Sequence, residues 1–85
     1  MYCFPGDTVL AEECSWRRKA KTIKTIITDD DVSSYRPYLV VGDGDFHRAG
    51  RWYNVVKIVE YGPIPPMLRY ALEEIISMKR SLRNV

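Results

Sequence analysis

Three prolines and a glycine crowd residues 62–66 as Gly62-Pro63-Ile64-Pro65-Pro66, a run that no strand or helix can pass through. Proline has no N–H for a sheet ladder, and inside a helix its ring collides with the turn before it. The segment therefore divides the chain. Upstream, β-branched and aromatic residues set the pattern; downstream, apolar residues recur at helical spacing. This predicts an α+β fold, a small bent antiparallel sheet or partly closed barrel over residues 4–61 with one C-terminal amphipathic helix over 65–83. Eighty-five residues hold one core, so residues 1–85 are expected to form a single domain.

The strand half reads in pieces. From Phe4 to Ala11 a Pro5-Gly6 turn leads into a short strand, and Glu12 to Arg18 reads as a loop or irregular edge. Lys19 to Thr28 carries Thr22, Ile23, Thr25, Ile26, Ile27 and Thr28, the residue types that fit a pleated surface. Asp29–Asp31 with Ser33 and Ser34 form a polar connection to the apolar run Tyr38–Val41. The glycines at 42, 44 and 50 suit a reversing loop that holds His47, with Arg51–Tyr61 as the return arm of a hairpin. That arm does not alternate strictly, which predicts a bulge or partial cover on both faces.

In the helix, Leu68, Ala71, Leu72, Ile75, Ile76, Lys79 and Leu82 share one stripe, expected to be buried, while Arg69, Glu73, Ser77 and Arg80 are expected to face away. Pro65 or Pro66 suits the first turn. Glu73 and Glu74 precede Lys79, Arg80 and Arg83, the order the helix dipole favours, so the basic end has a structural reason of its own.

The Gly6-Asp7-Thr8-Val9 opening, the Tyr38-Leu39-Val40-Val41 strand, the glycine-bearing loop and the Gly50-Arg51-Trp52-Tyr53 return resemble the rhythm of SH3-like small barrels, including KOW and Tudor-type modules, over residues 4–61. The resemblance implies a small binding barrel. In size and style the chain also resembles the small accessory proteins of bacteriophages.

Most chemistry is absent from the pattern. His47 stands near Asp45 and Arg48 with no nucleophile or paired acid, so catalysis is not expected. Asp43-Gly44-Asp45 lacks the further ligands of a calcium loop, Asp29–Asp31 reads as a solvated acidic run, and Gly42-Asp43-Gly44 lacks the ending of a phosphate loop. Cys3 and Cys14 form no CxxC pair and are expected to be free thiols. No cofactor, metal, membrane contact or small-molecule substrate is expected. With Asp7 and Glu12 where the apolar core of a secretion signal would lie, the expected compartment is the cytoplasm.

Two binding classes are left. Tyr35, Arg36, Tyr38, Trp52 and Tyr53 are the residue types that dominate protein interfaces, which puts a non-catalytic module first, its partner an unidentified protein or a second copy. The alternative is nucleic acid, contacted through the basic cluster Arg17, Arg18, Lys19, Lys21 and Lys24 with Arg48 and Arg51. A net charge of only +2 ranks it second.

Overall fold

The computed structural model describes residues 1–14 and 20–83, with side chains described through residue 80. Strands β1 (Tyr2–Cys3), β2 (Thr8–Glu13), β3 (Thr22–Ile26), β4 (Leu39–Val40), β5 (Asp45–Arg48) and β6 (Arg51–Glu60) are followed by one helix, α1 (Pro66–Arg83). Four strands form an antiparallel sheet in the order β3-β2-β6-β5, and β1 pairs with β4 as a separate antiparallel ribbon. The fold is α+β, a small bent sheet with a C-terminal helix, and the sheet does not close into a barrel.

Alternation along the strands builds one apolar face. Val9 and Ala11 of β2, Phe46 of β5, and Tyr53 and Val55 of β6 turn the same way and meet Cys3 and Leu39 of the ribbon, with Ile27 completing the core. Ile23, Val32, Val41 and Ile58 pack around its edge. Each large side chain buried here contributes about 1.5–3 kcal/mol of hydrophobic free energy. None of the described residues of α1 belongs to this core.

The irregular pattern of β6 is a double bulge. Thr8 pairs with Glu60 but Val9 with Ile58, and Leu10 with Lys57 but Ala11 with Val55, so Val59 and Val56 are extra residues. Each bulge sharpens the strand's bend. The sheet curls far enough for Arg48, on one edge, to reach β3 on the other. Its guanidinium donates to Thr25 Oγ1 (2.5 Å) and the Asp31 carboxylate (2.6 Å), spanning the gap that a further strand would close.

The stretch 42–50 is not one open loop. Gly42 and Gly44 bracket a tight turn whose backbone continues the pairing to Val55, and Asp45–Arg48 is extended. The hairpin turn shrinks to Ala49-Gly50, both at positive φ (53° and 79°), as two-residue hairpins require. His47 therefore sits on a strand, opposite Trp52, rather than in a loop. Likewise Glu12 and Glu13 belong to β2, and β1 lies outside the expected sheet boundary. Asp29–Asp31 form one 3-10 turn, with the Asp31 carboxylate accepting the Thr28 N–H (2.8 Å).

Candidate protein-interaction surface

The helix is attached to the sheet body by a buried ion pair. Asp7, wholly buried, accepts from Arg69 Nη2 (2.6 Å) and the Gly62 N–H (2.7 Å) on Oδ1, and from Arg69 Nη1 (2.8 Å) and the Phe4 N–H (2.8 Å) on Oδ2. One carboxylate thus joins the turn before β2, the exit from β6 and the first turn of α1. Burial pushes its pKa up, but the Arg69 hydrogen bonds, the two backbone N–H groups and the guanidinium charge outweigh burial and hold it below the ordinary 3.8. The guanidinium itself lies against the rings of Tyr61 (4.7 Å) and Phe4 (5.3 Å).

The turn of α1 that faces the body is consequently polar as much as apolar. Arg69 (8 % exposed) makes the ion pair, Glu73 Oε1 accepts the Tyr2 N–H (3.2 Å), and Arg80 donates to the Tyr2 hydroxyl (3.3 Å). Leu72 and Ile76 are half-buried between them. This corrects the expected orientation. Leu68 (51 % exposed), Ala71, Ile75 (48 %) and Lys79 lie at the surface, while Arg69, Glu73 and Arg80, expected to face away, reach the body. Leu82 lies outside the described side chains. Met67 (85 %) and Met78 extend the exposed apolar arc, and Met1 and Tyr70 border a hollow with Met78. A groove of about 520 Å³ runs between Met1, Tyr61, Pro63 and Tyr70.

The other candidate residues are divided among several places. Tyr35 (87 % exposed) and Arg36 project from the connection before β4, with Arg36 over the Tyr38 ring at 5.9 Å and Tyr38 edge-on to Tyr2 at 5.0 Å. Trp52 is exposed on the outer face of the sheet, edge-on to His47 at 5.1 Å. A shallow cleft of about 300 Å³ links Arg36 and Tyr38 to His47 and Trp52. Tyr53 is no interface residue. It is 3 % exposed and stacks on Phe46 in the core, because alternation on β6 turns it inward where Trp52 turns outward.

The basic set is similarly reduced. Arg48 and Arg51 each lie against a carboxylate, Asp31 (2.6 Å) and Glu13 (3.3 Å). Lys21 and Lys24 are exposed, and Lys24 and Lys57 flank Leu10 on the outer sheet face; Arg17, Arg18 and Lys19 lie outside the described residues. Cys3 is buried and donates to the Leu39 carbonyl, and burial first, then the Asp7 charge, pushes its pKa to about 11. Cys14 is exposed beside Asp45, and the two thiols are unpaired. Among the described residues no group of acidic, His and Cys side chains is placed to hold a metal ion, and no helix is long and apolar enough to cross a membrane.

Sequence reasoning missed Asp7 and Arg69, the residues that decide which arc of the helix is free. One local signal points to them. A cation in the first turn of a helix opposes the dipole, and that turn holds no acidic residue to offset Arg69. No family model matches the chain, and neither the curated proteins nor the solved structures contain a match.

Proposed function

We propose that the protein is a small non-catalytic interaction module whose docking surface is the outward apolar arc of α1. The observation that supports this reading is the orientation of the helix. Arg69, Glu73 and Arg80 hold it to the body, so Met67, Leu68, Ala71, Ile75 and Met78 face solvent together. Contiguous exposed apolar surface on a small domain marks an interaction site more often than an accident of composition. Covering it releases the same hydrophobic free energy per unit area that builds the core. Tyr35, exposed beside the groove that Ile75 and Lys79 line, adds an aromatic contact at its rim.

The test is photo-crosslinking in the protein's native cells, with a benzophenone side chain placed singly at Met67, Met78 or Trp52. The expected result is protein adducts from Met67 and Met78 that disappear when Leu68→Lys is added. Adducts from Trp52 alone would move the surface to the sheet, and protein adducts from none of the three would contradict the reading.

A further inference from the structure

The outward arc of α1 has a finer pattern than amphipathicity alone requires. Leu68, Ala71, Ile75 and Met78 are separated by steps of three, four and three, and the sequence continues with a step of four to Leu82. Alternating threes and fours are the spacing of a two-helix seam, positions a and d of a heptad, and the four described residues fall within about 80° of the helix circumference. A helix that serves only as a lid on a sheet needs a broader stripe turned inward. Here the inward arc carries Arg69, Glu73 and Arg80 with only Leu72 and Ile76 half-buried among them.

The residues beside the seam carry charge in a defined order. Glu74 precedes an a position and Lys79 follows a d position, and both are exposed. When two identical helices lie parallel and in register, the residue before a on one faces the residue after the following d on the other, five places on. That juxtaposition sets Glu74 of each copy against Lys79 of its twin, twice by symmetry. An antiparallel pair instead brings the Glu74 flank against its own copy, like charge on like.

We propose that the occupant of the α1 surface is a second copy of this chain, in a parallel, two-fold symmetric helix pair with Ile75 central and Glu74 facing Lys79 of the partner. This rests on the reading of α1 as a docking surface and names its partner. Leu68, Ala71, Ile75 and Met78 are all exposed in the single chain, and Tyr35 and Tyr38 of the body border the cleft beside Ile75 and Lys79. A seam of about two heptads is too short to form from free peptides. The Asp7–Arg69 attachment removes that obstacle by holding each helix formed before association.

Sedimentation equilibrium of the full chain, from micromolar to near-millimolar concentration, tests the pairing. The expected result is a reversible dimer that Ile75→Glu weakens by about a hundredfold or more without changing the circular dichroism. Glu74→Lys and Lys79→Glu are each expected to weaken it about tenfold, and the double exchange in one chain to restore it, since the pair is then reversed rather than lost. Orientation is read with a short bis-maleimide on Ala71→Cys and, separately, on Met78→Cys, in chains also carrying Cys14→Ser. A parallel pair joins both positions to their twins, whereas an antiparallel pair joins at most one. A chain that is monomeric throughout overturns the second copy as partner, while adducts to a different protein from Met67 and Met78 would still uphold the docking surface. A dimer indifferent to Ile75→Glu, with no adduct from either position, overturns both.

Discussion

Asp7→Ala is expected to cost the domain about 3–5 kcal/mol, because it leaves the Arg69 guanidinium buried between two rings without its ion-pair partner. A domain of this size has a total stability of about 4–13 kcal/mol, so the loss is a large part of it. The cause is not the ion pair alone. The same carboxylate accepts the N–H groups of Phe4 and Gly62, and both lose that acceptor. Urea unfolding followed by circular dichroism measures the loss, and native-state hydrogen exchange should place it first in α1, whose described residues contribute nothing to the sheet core. The pH dependence has a definite sign. Asp7 has a folded pKa below its unfolded value, so its contribution is complete above about pH 4 and is lost as pH falls through the depressed folded value. Acid should therefore weaken the natural protein and narrow its difference from Asp7→Ala.

The second large effect is expected at Gly62→Ala, which changes no charge. A Cβ at residue 62 would stand 2.5 Å from the Gly6 carbonyl carbon, 2.6 Å from its oxygen and 2.9 Å from the Asp7 nitrogen, all backbone atoms that cannot swing aside. The exit from β6 must then move away from the turn before β2, and the Gly62 N–H leaves Asp7 Oδ1, now 2.7 Å away. Overpacking together with the lost hydrogen bond from the residue-62 N–H predicts a loss of about 2–4 kcal/mol. Urea unfolding at neutral and at acid pH separates the two variants. The Gly62→Ala loss should persist in acid, because backbone collision does not titrate, whereas the Asp7→Ala loss should shrink.

Several elements of this fold were legible in the sequence for physical reasons that need no long-range information. The proline run ends β6 and the helix begins at Pro66, and the broken alternation of 51–61 is a double bulge at Val56 and Val59. Glycine spacing placed the hairpin, but it could not separate a long loop from two tight turns around a four-residue strand, so His47 moved from loop to sheet. The bulges likewise hide which of two adjacent rings faces inward, and Tyr53 rather than Trp52 went to the core. The two-residue strands β1 and β4 have no period to read.

The helix shows the deeper limit. A 3.6-residue period says that an apolar arc will be covered by something, and local sequence assigns the nearest body as the cover. What decides otherwise is a partner 62 positions away. Asp7 fixes Arg69, Arg69 fixes the rotation of α1, and the rotation leaves Leu68, Ala71, Ile75 and Lys79 of the expected core stripe outside while Leu72 and Ile76 stay half-buried. A single sequence contains both residues but not their meeting.

Neighbouring positions on α1 test that rotation most directly. Urea unfolding of Leu68→Ser and Arg69→Ser should be compared side by side at low protein concentration, where any helix pairing is dissociated. The rotation observed here predicts that Leu68→Ser stays within about 1 kcal/mol of the natural chain, as an exposed helix position should. Arg69→Ser, which strands the buried Asp7 carboxylate, is predicted to lose about 3 kcal/mol or more. The reverse order, a large loss at Leu68 and a small one at Arg69, would mean that the apolar arc faces the sheet, and would contradict both the attachment and the exposed surface built on it.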